Sequence, residues 1–323
     1  MNYKPIIILS GEPNSIFFEI FFKSLKNKKY KSPIILIASK ELLFLHMKIL
    51  KVKVNIKLIN DTNFDINHLS NTSINLINVE YKYKINKLND LKKFPKITNI
   101  YIDRCFNTAL KIIKLKKINK FINGPIVKKN FLRKKFLGVT EFLAKKTNTK
   151  KYAMLIYNKK LSVSPITTHL PIKLVCKKIS KKLIIEKVQL ICDFYKKKLN
   201  INPKIAITGV NPHCETIDAF DEDKKIVKPA TSYLKKKLNI IGPVSADTIF
   251  LKNNRNKYNL IIGIYHDQVL TPMKTINEYK AINITVGLPF IRISPDHGPN
   301  EIMIGKNQSN PQSLMESLKF LDF

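Results

Sequence analysis

Three histidines stand beside polar clusters that follow predicted β-strands, and their side chains could bind a metal ion. They are His169 in the segment TTHLP, His213 in TGVNPH and His266 in YHDQ. Neutral imidazoles from separate loops can converge on one divalent ion and leave coordination positions for substrate oxygens. The same spacing also fits ordinary surface or core histidines, and both interpretations stay open at this point.

Lys274 and Arg292 could bind an anion. Each lies in a mostly apolar stretch, where a cation needs an anionic partner to offset its loss of hydration. One interpretation is a clamp for a phosphate or carboxylate group of a substrate. The other is an internal salt bridge to Asp267 or Asp296.

The net charge raises the question of a nucleic-acid partner. The 323 residues contain 58 Lys and Arg against 23 Asp and Glu, a formal charge of +35. Only Arg104, Arg133, Arg255 and Arg292 are arginines, although proteins that read bases rely on the planar guanidinium. The lysines are scattered, and Lys, Asn, Ile, Phe and Tyr are abundant together. A bias toward AT-rich codons accounts for this pattern, so we expect no nucleic-acid partner; a basic nucleic-acid binder is the alternative.

The composition, 44% apolar and 25% charged, is that of a globular protein. No apolar run approaches the ~18–20 residues that span a bilayer, and the run Ile6–Leu9 is too short for a signal peptide. We therefore expect a cytoplasmic protein that makes no membrane contact. The nine glycines form neither GxGxxG nor GxxxxGK, so a nucleotide cofactor must be held in another way.

Short β-branched runs alternate with longer amphipathic stretches, which predicts a parallel α/β architecture. The predicted strands are Ile6–Ser10, Ile34–Ala38, Asn75–Val79, Tyr152–Tyr157, Lys204–Val210, Asn259–Tyr265 and Ala281–Gly287. The predicted helices are Ser15–Leu25, Lys40–Leu50, Asn107–Lys117, Lys181–Lys198, Lys224–Leu238 and Pro311–Phe320. A boundary is expected near Phe131–Leu137. The polar clusters then lie outside the carboxyl ends of strands, where open α/β sheets build their sites.

These clusters together carry a resemblance to a known family. The matching stretches are TTHLP (167–171), TGVNPH (208–213), GPVSADTIF (242–250), YHDQVLTPMK (265–274) and NITVGLPFIRISPDHG (283–298). Weaker matches are GEPNSIFFEI (11–20), NGPIVKK (123–129) and LGVTEFLA (137–144). Through these stretches the chain resembles the 4-hydroxythreonine-4-phosphate dehydrogenases of pyridoxal phosphate biosynthesis.

The resemblance implies a two-domain α/β/α fold similar to isocitrate and isopropylmalate dehydrogenases, which bind NAD without GxGxxG. The expected domains are residues 1–135 plus 299–323, and residues 136–298 with the metal and substrate site in the cleft. It also implies a homodimer whose site lies at the interface, with the third histidine supplied by the partner subunit.

The resemblance further implies the roles of individual residues. The divalent ion, zinc, magnesium or cobalt, would be held by His169, His213 and His266. Substrate contacts carry over to Thr140, Lys274, Asn283 and Arg292. Asp247, Asp267 and Lys274 match catalytic positions, and either aspartate could take the hydroxyl proton.

The implied reaction oxidises the C3 hydroxyl of 4-phosphooxy-L-threonine with NAD or NADP. The β-keto acid then loses carbon dioxide to give 3-amino-2-oxopropyl phosphate. The alternative is a family relative that oxidises a phosphorylated threonate or erythronate, or a cis-dihydrodiol.

This sequence departs from the family pattern in several places. Val139 stands where the family has a histidine that contacts phosphate. The segments Gly124–Lys128, Cys214–Asp218 and Gly11–Glu19 also differ from the family motifs. These changes bear on substrate identity and catalytic strength more than on reaction type.

Overall fold

The structure is a computed structural model that describes residues 3–26, 29–85, 87–132 and 135–323. The chain divides into two units, the first formed by residues 1–142 and 289–323 and the second by residues 143–288. Arg133 and the middle of the predicted boundary Phe131–Leu137 lie outside the described residues.

The elements alternate along the chain, as the sequence pattern predicts. The strands are β1 (Ile6–Leu9), β2 (Ile34–Ala38), β3 (Ile56–Leu58), β4 (Ile74–Asn78), β5 (Lys120–Asn123), β6 (Ala153–Tyr157), β7 (Ser162–Pro165), β8 (Ile205–Thr208), β9 (Ile240–Val244), β10 (Leu260–Gly263), β11 (Ile282–Val286) and β12 (Ile291–Ser294). The α-helices are α1 (Phe17–Leu25), α2 (Lys40–Leu50), α3 (Pro95–Lys116), α4 (Lys128–Phe131), α5 (Val139–Lys146), α6 (Ile172–Lys178), α7 (Lys181–Phe194), α8 (Lys228–Lys235), α9 (Ala246–Ile249), α10 (Lys252–Arg255), α11 (His266–Asn277) and α12 (Gln312–Leu321).

The first unit contains the strands β3-β4-β2-β1-β5-β12 in that spatial order, and all of its described pairs are parallel. β1 and β2 are continuous apolar runs, and every residue of both is buried. This is the pattern of strands covered on both faces. Side chains that follow β1, β2, β5 and β12 therefore emerge at one edge of this unit.

The second unit contains the strands β11-β6-β7-β10-β8-β9 in that order. β7, β10, β8 and β9 are parallel, but β6 runs antiparallel to both β7 and β11. The predicted parallel arrangement is therefore found in these four strands, and β6 departs from it. The reason is the short connection between β6 and β7, where the Asn158 side chain accepts a bond from the Lys160 amide; a parallel connection needs a much longer crossover.

Most predicted elements are confirmed with shifts of one or two residues, and the larger differences have local causes. The predicted helix Asn107–Lys117 begins earlier, at Pro95, whose missing amide proton is harmless in the first turn. Two predicted helices contain π-helical turns, at Tyr195–Leu199 and Asp223–Val227. Among the described residues, none of the helices combines the length and the apolar character needed to cross a bilayer.

Candidate active site

The three candidate metal-binding histidines follow neighbouring strands of the second unit. β10 lies between β7 and β8 and is parallel to both, so the loops after these strands emerge at one edge. His169 follows β7, His266 is the first residue of α11 after β10, and His213 follows β8. The ring centroids of His169 and His266 are 5.7 Å apart. The structure thus brings two of the three predicted residues together.

Hydrogen bonds fasten these loops to one another. The amide and hydroxyl of Thr167 both donate to the Ile264 carbonyl, at 3.0 and 2.8 Å. The side chain of Gln268 accepts bonds from the Thr208 hydroxyl at 2.8 Å and the Ile264 amide at 2.7 Å. Its own amide group donates to the Gly209 carbonyl at 2.7 Å. The loops that carry all three histidines are therefore linked through Thr167 and Gln268.

A separate carboxylate binds the loop that precedes His213. The buried side chain of Asp223 accepts bonds from the amides of Val210 and Asn211 at 2.7 and 2.9 Å, which fixes the loop just before His213. His213 itself is exposed and has a left-handed backbone, φ 56°. Among the described residues of one chain, no group of three or more His, Cys, Asp or Glu side chains could hold a metal ion.

The orientation of His266 suits a metal ligand. Its Nδ1 lies 2.6 Å from Oδ1 of Asp267. With the proton on Nδ1 facing this carboxylate, the lone pair of Nε2 is left for a metal, the arrangement by which carboxylates orient ligating histidines. Asp267 and the second candidate base, Asp247 in α9, are both exposed.

Two further candidate residues belong to the second unit. Lys274 lies half-buried in the last turn of α11, and burial lowers the pKa of its ammonium group. Asn283 lies in the middle of β11, within the predicted strand Ala281–Gly287. Its Oδ1 is buried and accepts no hydrogen bond from the described residues. An amide oxygen in this condition is suited to a ligand that brings a donor.

Arg292 lies in β12 of the first unit, where its side chain is almost fully buried. Its Nε donates to Oδ1 of Asn123 at 2.7 Å, and its Nη1 lies 3.3 Å from the Thr140 hydroxyl. Burial lowers the pKa of Arg292 to about 10, and the carboxylate of Glu141 opposes this shift. The guanidinium is therefore charged at neutral pH, and both of these contacts are to neutral side chains.

Val139 is the first residue of α5 and is buried beside Thr140. The next residue, Thr140, carries the hydroxyl that contacts Arg292.

Three residues that position the candidate site carry no role in the sequence prediction: Asn123, Asp223 and Gln268. Gln268 lies inside the YHDQ segment, so its proximity to His266 was a usable signal. Asn123 lies far in sequence from Arg292, and only the pairing of β5 with β12 shows that they are close. Asp223 begins a helical turn that follows the loop it binds, and no pattern in the sequence indicates this contact.

Comparison with known proteins agrees with these features. The family described as "Pyridoxal phosphate biosynthetic protein PdxA" matches residues 29–321. A 4-hydroxythreonine-4-phosphate dehydrogenase of Sulfurihydrogenibium sp. (strain YO3AOP1) is 37% identical over 320 residues, covering 97% of this chain and 96% of that protein. A D-threonate 4-phosphate dehydrogenase of Pectobacterium atrosepticum is 32% identical over 220 residues, covering 67% and 68% of the two chains.

A crystal structure of 4-hydroxythreonine-4-phosphate dehydrogenase from Klebsiella pneumoniae has a TM-score of 0.82 and 26% identity, covering 99% of this chain and 97% of that one. The fold is accordingly the two-domain α/β/α fold similar to isocitrate and isopropylmalate dehydrogenases. By the extent of the family match and the full-length relatives, the chain belongs to the PdxA family of pyridoxal phosphate biosynthetic proteins.

Proposed function

We propose that this protein is an NAD- or NADP-dependent dehydrogenase that oxidises the C3 hydroxyl of 4-phosphooxy-L-threonine. The β-keto acid formed loses carbon dioxide to give 3-amino-2-oxopropyl phosphate, a step of pyridoxal phosphate biosynthesis. The observation that carries the proposal is the set of three histidine loops fastened together at one sheet edge. Family membership supports the same reaction.

His169, His213 and His266 would hold the divalent metal ion, as zinc, magnesium or cobalt. The chain fits such an ion for two reasons. The ring centroids of His169 and His266 are 5.7 Å apart. Asp267 contacts Nδ1 of His266, which leaves the lone pair of Nε2 to bind the metal. Imidazole nitrogens are among the ligands that zinc binds in proteins. When bound, the ion would lower the pKa of the substrate hydroxyl and polarise the product ketone.

We propose a homodimer, with the partner subunit supplying one of the three histidines. The support is that the described residues of one chain bring His169 and His266 together without His213. We also propose two domains, the first formed by residues 1–135 plus 299–323 and the second by residues 136–298. A cytoplasmic location is a separate part of the proposal.

The remaining roles follow from charge and burial. Lys274 and Arg292 would bind the substrate's phosphate and carboxylate groups, since both are cations in low-dielectric surroundings. Burial lowers the pKa of the Lys274 ammonium group. Thr140 and Asn283 would orient the substrate through its polar groups. Asp247 and Asp267 are the candidates for removing the hydroxyl proton.

The test is production of NADH or NADPH from 4-phosphooxy-L-threonine by metal-free protein, before and after addition of zinc, magnesium or cobalt. Turnover that appears with metal and disappears with chelator is expected. Failure with every metal, in protein whose circular dichroism shows a folded chain, would contradict the proposal.

The second candidate substrate is D-threonate 4-phosphate, because relatives that bear this name are 31–32% identical. A larger kcat/KM for D-threonate 4-phosphate than for 4-phosphooxy-L-threonine would favour it. A basic nucleic-acid binder would instead show affinity for duplex DNA that falls steeply with salt. We expect no such binding.

A further inference from the structure

We propose that Asn123 is a positioning residue that holds the Arg292 guanidinium ready for an anionic group of the substrate. The inference rests on the proposed function, since that function gives Arg292 its ligand. It adds a residue to which the sequence prediction gave no role.

The strand register places the two side chains together. Arg292 of β12 is the register partner of Phe121 of β5. Side chains alternate between the faces of a strand, so Asn123 lies on the same face as Phe121, one repeat further along. Nε of Arg292 donates a hydrogen bond of 2.7 Å to Oδ1 of Asn123, which joins the two side chains across the neighbouring strands.

The amide of Asn123 is fixed from its other side. Its Nδ2 donates to the Gly124 carbonyl at 2.9 Å, so its Oδ1 faces Arg292. Asn123 is 1% exposed and Arg292 is 3% exposed, which leaves neither side chain room to reorient into solvent. The guanidinium is thereby held in one orientation.

The absence of charge on Asn123 affects how Arg292 can bind an anion. A buried guanidinium needs hydrogen-bond acceptors, and a carboxylate in this place would satisfy it by neutralising its charge. An amide accepts the bond from Nε without adding a negative charge beside the guanidinium, so a phosphate or carboxylate meets less repulsion there than it would beside an aspartate. Thr140, the second acceptor, is neutral in the same way.

The test is Asn123→Asp, which alters the polar end of the side chain while keeping its size. We expect the dissociation constant of inorganic phosphate, measured by calorimetry on cofactor-free protein, to rise by about tenfold or more, as a loss of roughly 1.4 kcal/mol would give. The KM for 4-phosphooxy-L-threonine should rise similarly, with kcat within about twofold, because the anion contributes mainly uniform binding.

Asn75→Asp is the matched control. Asn75 is a buried asparagine of β4 whose side chain bonds the carbonyls of Ile34 and Ser70, within the same unit. It makes no described contact with Arg292. We expect Asn75→Asp to lower the melting temperature without weakening phosphate binding.

A double-mutant cycle separates positioning from general damage. In an Arg292→Gln background, or Arg292→Lys if the first does not fold, Asn123→Asp should cause no further loss of phosphate affinity. An equal loss in both backgrounds, or no loss in a folded Asn123→Asp variant, would overturn the inference.

The phosphate measurement also distinguishes the inference from the proposed function. A wild-type protein that binds phosphate but oxidises no phosphorylated substrate would contradict the proposed function. The double-mutant cycle would then still test the role of Asn123. A wild-type protein that binds no phosphate contradicts the role of Arg292, and Asn123 loses its role with it.

Discussion

His266 shows how one neighbouring side chain can decide what a histidine does. Its Nδ1 faces Asp267 at 2.6 Å, so the other nitrogen is directed away from that carboxylate. The sequence predicted His266 as a ligand but left Asp267 as either a base or an ion-pair partner. In this geometry Asp267 has one oxygen engaged with the imidazole.

Replacing His213 by alanine should abolish metal binding and turnover together while leaving the fold intact. His213 is exposed, so its truncation removes little buried surface. Bound metal measured after dialysis, with a thermal melt in parallel, checks this expectation. As a control, His68→Ala removes another exposed histidine and should keep full metal content. Parent-like metal binding by the His213 variant would show that the ligand assignment is wrong.

Val139→His should lower the KM for the phosphorylated substrate with little change in kcat. A histidine here could donate a charge-assisted hydrogen bond to phosphate, worth roughly 1.5–3 kcal/mol, or ~10–100-fold in KM. Val139→Phe controls for the added bulk at this buried position. Long-range attraction by the many lysines is the competing explanation, so both constants are measured at low and high salt. A KM unchanged by the histidine at both salts would show that Val139 does not weaken phosphate recognition.

Within helix α2, a buried histidine makes the first unit sensitive to acid. His46 is 2% exposed and packs on Phe18 with centroids 4.7 Å apart. Burial lowers the pKa of His46 to about 4, although the Pro13 carbonyl and Glu19 favour its charged form. The unfolded chain therefore binds the extra proton first. Stability contributed by neutral His46 is present above about pH 6.5 and is lost as pH falls toward 4.

In the His46→Phe variant, the free energy of unfolding should fall less as the pH is lowered. Between neutral pH and pH 4, the variant should lose up to about 3 kcal/mol less of this free energy than the parent does. Urea titrations across this range measure it. Burial also lowers the pKa of His297 to about 4, so part of the loss of stability at low pH should remain after the substitution. A pH dependence of the unfolding free energy identical to the parent's would show that His46 is not a source of the acid sensitivity.

The elements that the sequence predicted best are those with long or strongly apolar patterns. β1, β2 and α2 were located to within a residue, because uninterrupted apolar runs mark the two strands and an amphipathic pattern marks the helix. The short strands β3, β5, β7, β9 and β12 were missed, because polar residues, glycine or proline interrupt their apolar runs. Arg292 and Asn123 both lie in such strands. Their contact depends on strand pairing, which the order of residues in the chain does not reveal.

At the scale of the whole molecule, mixing inactive variants tests the shared site. If His266 comes from the partner subunit, as the family resemblance implies, His169→Ala and His266→Ala, inactive alone, regain activity when subunits exchange, because one site of the mixed dimer is then intact. Random exchange of equal amounts gives about a quarter of wild-type activity, since half of the dimers are mixed.

The same experiment with His169→Ala and His213→Ala identifies the crossing histidine. If His266 crosses, this second mixture stays inactive. Recovery in the second mixture alone would show that His213 crosses, in keeping with the closeness of His169 and His266 in one chain. No recovery in either mixture, after verified exchange, would contradict a site shared between subunits.

The bonds made by Gln268 and Thr167 also determine how this part of the protein can be engineered. Gln268 satisfies groups in the segments after β8 and β10, and Thr167 joins the segment after β7 to them. Transplanting one of these segments from a relative that lacks the bonding side chains would leave the partner groups buried and unsatisfied, at about 1–3 kcal/mol each. The three segments therefore form a single module, and a chimaera that exchanges them as a set should express and fold better than any that exchanges one alone.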